Sequence, residues 1–225
     1  MRLYESAKKL FYDNGYSATS VRDIVNQANS KLGLFTYYFE SKDALAVMIF
    51  DEYAAAVKQA IRRIIEPRYP QLYENYLFVE MFEYRCSQYL YIMDPQTAPF
   101  FRDLLSLQRF IDRRSQEKLF YYNQFMSDAI LDKPNPLCRT KGYSDIALTL
   151  AEGMEFFFCR KLCNNSLSVS IDDALDILFR TYYAFFLADK KQINNMISIT
   201  RKILSQLRFT PAGPFQLDIT YFDQA

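Results

Sequence analysis

Apolar residues recur every three or four positions through most of the chain, while the two-residue alternation of strands is scarce. Leu3, Ala7, Leu10 and Phe11 form one such stripe and predict a helix that stops at Asn14-Gly15, a pair suited to a left-handed turn. A second helix is expected after Thr19 or Ser20, either of which can cap it, with Asp23 placed for a capping box behind Ser20. Its buried stripe is Val21, Ile24, Val25 and Ala28. Asn29, of the non-glycine type that best tolerates a positive φ, follows, and Ser30 is a possible cap for a third short helix holding Leu32, Phe35 and Phe39. Small Ala28, a tight turn at Asn29 and Phe35 six residues later allow two helices to cross closely, which is helix-turn-helix geometry.

Further breaks fall at Glu40 to Lys42, Pro67 to Pro70, Asp94 to Pro99, Asp132 to Gly142, Asn164 to Ser170 and after Leu207, leaving about ten helical segments. The chain therefore reads as all-α: a three-helix head over residues 1–44, a larger helical body over 45–207, and an extended tail over 208–225 that contains Pro211, Gly213 and Pro214. Segment Tyr143 to Cys163 is apolar at Ile146, Leu150, Met154, Phe157 and Phe158, and segment Ile171 to Ala188 at Leu175, Leu178, Tyr182, Phe185 and Phe186. Adjacent aromatics on a helix point about 100° apart, so Phe156, Phe157 and Phe158 cannot all face one core. A partner subunit or a ligand cavity would cover the second face; wide core helices of a monomer are the other reading.

Composition narrows the chemistry. The 225 residues contain no His and no Trp, which excludes a Ser-His-Asp triad, imidazole acid/base work and zinc sites built on His. No Walker or G-x-G-x-x-G loop occurs, and the paired carboxylates Asp172 and Asp173 sit at an expected helix start, where they serve the dipole. An enzyme is not expected, nor any cofactor or metal. Cys86, Cys138, Cys159 and Cys163 form no C-x-x-C pair, and the N-terminus lacks the apolar run of a signal peptide, so reduced packing thiols in a cytoplasm are expected. Apolar runs such as Tyr182 to Ala188 are far too short to span a bilayer, so no membrane partner is expected. With 27 Lys plus Arg against 26 Asp plus Glu the net charge is +1, which decides nothing about a polyanionic partner.

The head is the informative part. Thr19 to Leu45, TSVRDIVNQANSKLGLFTYYFESKDAL, together with the A-x-x-L-F-x-x-x-G-Y-x-A-T pattern at Ala7 to Thr19, resembles the N-terminal signature of the TetR family of bacterial transcriptional regulators. The likeness runs without gaps from Met1 to about Phe50, roughly a fifth of the chain. The chain departs from the signature where the turn Gly is Asn29, the following Val is Ser30 and the frequent Lys of the recognition helix is Leu32. The usual Leu-Tyr-Tyr-His-Phe stands as Phe35, Thr36, Tyr37, Tyr38 and Phe39.

On this reading Leu32, Gly33, Thr36 and Tyr37 fall within about 140° of arc opposite the buried side of the third helix and face the major groove. Leu32 suits a thymine methyl, Thr36 a base edge or phosphate, and Tyr37 a phosphate. The resemblance sets Arg22, Lys31 and Leu34 near the DNA and matches Thr19, Ser20 and Lys42 to positions that hold its backbone. One head reads few base pairs, so a dimer with two spaced heads is expected. The resemblance puts its seam on Tyr143 to Cys163 and Ile171 to Ala188, which leaves Lys190 to Leu207 as an added helix.

The resemblance also implies a ligand pocket in the body, whose candidate lining is Phe82, Tyr89, Phe101, Leu105, Tyr121 and Phe125. An aromatic cavity with few buried charges favours a flat, apolar or cationic molecule. The expected protein is a homodimeric repressor on a palindromic double-stranded DNA operator, released by a small-molecule effector. The alternative is a dimeric small-molecule binding or scaffold protein whose head no longer reads DNA.

Overall fold

A computed structural model of the chain describes residues 2–116, 140–185 and 189–222. Helix α1 (Arg2–Asn14) buries Leu3, Ala7 and Phe11, and Gly15 ends it at φ +82°, its N–H donating to the Phe11 carbonyl at 3.0 Å. The capping box forms at α2 (Val21–Gln27): the Asp23 N–H donates to Ser20 Oγ while the Ser20 N–H donates to the Asp23 carboxylate. Such a cap contributes about 1 kcal/mol. Asn29 adopts φ +48°, as its residue type foretells. Ser30 does not cap the next helix, because its N–H closes the turn onto the Val25 carbonyl at 2.9 Å; α3 (Leu32–Tyr38) starts one residue later, behind Lys31.

Helix α4 (Lys42–Ile65), capped by Ser41, runs from the head into the body and buries Leu45, Ile49, Tyr53, Val57, Ile61 and Ile65, one residue every four. The head is braced along it by the Tyr4 hydroxyl donating to Glu52 at 2.6 Å and by the Tyr16 hydroxyl on Asp43. Phe11 meets Phe100 of α7 (Ala98–Leu104) at 5.6 Å between ring centroids, so head and body share one core.

The body adds α5 (Pro70–Tyr73), α6 (Tyr76–Tyr89), α8 (described over 108–116), α9 (Tyr143–Cys163), α10 (Ile171–Ala184) and α11 (Lys190–Leu204). Helix α6 packs on α4 and α11, and α10 on α9 and α11. A buried ion network ties three of them together. Arg85, fully buried on α6, donates to Asp172 at 2.9 Å and to Asp176, and Asp176 also accepts from Arg201 of α11 at 2.9 Å. Removing one partner of such a network leaves a buried charge unpaired, at a cost of about 3–5 kcal/mol.

The tail differs from its expected extended form. Strands β1 (Leu207–Gly213) and β2 (Gln216–Tyr221) make an antiparallel hairpin with Leu207 opposite Tyr221 and Phe209 opposite Ile219. Leu207, Phe209, Leu217, Ile219 and Tyr221 pack toward the core, Arg208, Thr210, Asp218 and Thr220 lie exposed, and β2 lies against α4. A bulge between Pro211 and Gly213 accommodates the proline, which has no N–H for the ladder.

Candidate nucleic-acid interface and interior cavity

The outer surface of the head is α3, held by Phe35, which is buried against α2 and the core. Leu32, Gly33, Leu34, Thr36 and Tyr37 are all exposed, Leu32 at 55% and Tyr37 at 80%. Gly33 has open space around it: a Cβ built there would meet nothing within 4 Å. Arg22 on α2 and Lys31 at the N-cap of α3 are exposed and without an ion pair among the described residues.

Three other residues expected beside the duplex have work inside the head. Thr19 is 1% exposed and its hydroxyl donates to the Gly15 carbonyl at 2.8 Å, so it lies apart from the exposed set. Ser20 is exposed, with its hydroxyl engaged by Asp23 at 2.6 Å. Lys42 lies 3.9 Å above the Tyr16 ring and donates to the carbonyls of Tyr16 at 3.1 Å and Thr19 at 2.9 Å. Burial lowers its pKa, with Asp43 and Asp103 acting the other way. Lys42 thus fixes the turn before α2, and one N–H direction remains for an outside acceptor.

Two polar links join this surface to the body. Glu40, beyond the end of α3, receives both Arg109 Nη groups of α8 at 3.0 Å each, and the Ser17 N–H donates to Asp103 at 2.8 Å. The Arg109 guanidinium, first by hydrogen bonding and then by its charge, holds the Glu40 carboxyl below its usual range.

Inside the body a cavity of about 680 Å³ opens between α4, α6, α8, α9 and α10. Its wall includes Phe50, Tyr76, Tyr84, Phe179, Tyr182 and Tyr183. The expectation of few charges fails: Asp51, Glu80, Glu83 and Glu155 line it with Lys58, Arg113 and Arg114. Lys58 pairs with Glu83 at 2.6 Å, Arg114 with Glu155 at 2.8 Å and Arg113 with Asp51 at 3.4 Å, while the Tyr183 hydroxyl donates to Glu80. The Tyr84 hydroxyl is buried without a hydrogen-bond partner among the described residues, and burial, then the charge of Glu155, pushes its pKa well above that of a free phenol.

Most residues expected to line the pocket lie elsewhere, for a reason of helical phase. Tyr76, Glu80, Glu83, Tyr84 and Ser87 share the cavity face of α6, whereas Phe82 and Tyr89 lie roughly opposite. Phe82 stacks on Phe78 at 5.3 Å, Tyr89 on Phe209 of the hairpin at 5.8 Å, and Phe101 is buried among Phe50, Tyr53, Tyr91 and Phe100. Leu105 lines a second, smaller cavity of about 290 Å³ beside Phe110, Phe156 and Cys159. Tyr121 and Phe125 lie outside the described residues, as does Cys138. The three described cysteines are buried, and burial pushes the Cys163 thiol up to about 12. No helix among the described residues is long and apolar enough to cross a membrane.

A short-turn helix pair carrying an exposed third helix, set on a larger helical body, defines a helix-turn-helix protein. Residues 3–49 match the family described as bacterial regulatory proteins, tetR family. The match covers the head alone, which is similar to that family of regulatory proteins. Among solved structures, the crystal structure of a gamma-butyrolactone receptor (ArpA like protein) is 13% identical over 89% of this chain and 93% of that one, with a TM-score of 0.47. Salmonella enterica GusR is 16% identical over 91% of this chain and 92% of its own, with a TM-score of 0.29. No curated protein matches the chain.

Proposed function

We propose that the chain is a ligand-responsive transcriptional repressor that binds a palindromic operator as a homodimer and is released by a small molecule held in the body. The observation that carries this reading is α3, a helix whose outer face is exposed with no packing partner among the described residues, in a head that matches the tetR family and also exposes Arg22 on α2 and Lys31 at the N-cap of α3. Arg22 and Lys31 act on phosphates, and Leu32, Gly33, Thr36 and Tyr37 enter the major groove, with Leu34 at its side.

The cavity supports the second half of the reading. Its aromatic wall suits a flat apolar body, and the buried Tyr84 hydroxyl awaits an acceptor on the bound molecule. The route from cavity to head is short, since α8 places Arg113 and Arg114 in the cavity wall and Arg109 on Glu40. An effector that moves α8 shifts Glu40 and with it the end of α3. To act as a switch it must favour the released form by a few kcal/mol.

Anisotropy titration against the duplex upstream of its own gene tests this reading. Arg22→Ala and Tyr37→Ala are the informative variants, because both side chains are exposed and neither braces the head; Lys42→Ala would also loosen the turn. Each is expected to weaken sequence-selective binding at least tenfold with the helical content unchanged. Equal affinity of wild type and both variants for this duplex and for unrelated DNA would leave a binding protein with an idle head.

A further inference from the structure

We infer that the head selects its operator by thymine methyl groups, so that each half-site presents a thymine-bearing major-groove edge to Leu32 and Tyr37. The inference rests on the DNA-binding reading above and supplies its base chemistry.

The reading surface is unusually poor in polar groups. Helix α3, LGLFTYY, contains no charged and no amide side chain. Gly33 contributes none at all. Thr36 is the one aliphatic hydroxyl, and its Oγ1 donates to the Gly33 carbonyl of its own helix at 3.1 Å, so that it offers outward a methyl group and lone pairs and no free proton. Leu32 and Tyr37, more than half exposed, frame this strip, with Leu34 and Tyr38 exposed on its far side.

Guanine is ordinarily read by a paired donor from Arg or Lys, and adenine by the amide of Asn or Gln. The outer face of α3 has none of these groups. The apolar feature of the major groove is the thymine C5 methyl, and only an apolar side chain gains by covering it. Arg22 on α2 and Lys31 at the N-cap of α3 are exposed cations outside this strip, suited to phosphates. An apolar strip with cations supplied from beside it matches a duplex, whose backbone is anionic and whose groove floor carries methyl groups.

The inference is tested with a duplex obtained by in vitro selection from a randomised library on the full-length protein. Each thymine of the selected half-site is replaced in turn by deoxyuridine, which removes the methyl and leaves the hydrogen-bonding edge intact, and affinity is read by fluorescence anisotropy. Loss of one covered methyl is expected to weaken binding about fourfold. Leu32→Ala, an exposed change checked by circular dichroism, is expected to erase that difference at one position per half-site: the variant binds the thymine and deoxyuridine duplexes alike. A selected site that tolerates deoxyuridine throughout, or a Leu32→Ala variant that keeps the full discrimination, overturns the inference while leaving DNA binding in place. Failure to select any duplex removes the DNA-binding reading itself, and the inference with it.

Discussion

Tyr84 concentrates the chemistry of the cavity in one atom. Its ring packs edge-on against Phe179 at 5.7 Å, whereas its hydroxyl is buried with no partner among the described residues. Leaving a buried hydroxyl unpaired costs about 1–3 kcal/mol. Tyr84→Phe removes that group and retains the ring contact, so the effector-free protein is expected to become more stable by about 1 kcal/mol, seen as a higher urea midpoint at unchanged m-value. A lower midpoint would mean that the hydroxyl already has a partner. The sequence marked α6 as aromatic but not which aromatics face the cavity. Tyr84 and Tyr89 are of the same type on the same helix, and their fates diverge because α11 and the hairpin cover one side of α6 while α10 borders the other. Thr19 was ambiguous because a hydroxyl beside a helix start suits a phosphate or a buried carbonyl equally, and in the fold the carbonyls of Gly15 and Leu10 are within its reach.

At the scale of elements, the helices of the head were legible nearly to the residue, because capping box, left-handed Asn29 and apolar stripe all point one way. The C-terminal hairpin was not. Its arms are short and its prolines, Pro211 and Pro214, sit where a tail would carry them, although Leu207 and Phe209, then Leu217, Ile219 and Tyr221, alternate as strands should. Its function in the fold follows from Phe215 at the turn. This residue takes φ +51°, a conformation that costs a non-glycine residue about 1 kcal/mol or more. The offset is packing: the ring is buried against Tyr12 of α1, Tyr53 of α4 and Phe100 of α7, so the hairpin tip pins the head to the body. Phe215→Ala is expected to cost about 3–4 kcal/mol in urea unfolding and to weaken hydrogen-exchange protection of α1 more than that of α9. Uniform loss of protection would reduce the hairpin to a general brace.

For the whole molecule, a chain without His cannot use imidazole chemistry, and its aromatic share of 17% fills a core, walls a cavity and still leaves apolar side chains in water. The exposed ones on α9 lie in register. Ile146, Leu150 and Phe157, with Gly153 between them, fall within about 60° of arc, and a Cβ at Gly153 would meet nothing within 4 Å, which leaves room for a close helix crossing. Ile177 is likewise exposed, on α10, which packs against α9. Ile146, Phe157 and Ile177 are each more than half exposed and Leu150 is half exposed, a surface that suits a two-fold partner better than solvent. We therefore expect a homodimer joined through α9 and α10, with two heads presented to two half-sites. Phe157→Glu places a charge at the centre of that seam. Because a large apolar side chain buried at an interface contributes about 2–4 kcal/mol, dimerisation is expected to weaken at least 30-fold. Light scattering behind size exclusion, at concentrations where wild type is dimeric, should give the mass of one chain with the helical content intact. The same variant should then bind a full palindrome no more tightly than a half-site, because single heads no longer share one duplex. If the variant stays dimeric, the seam lies elsewhere and the stripe on α9 needs another occupant.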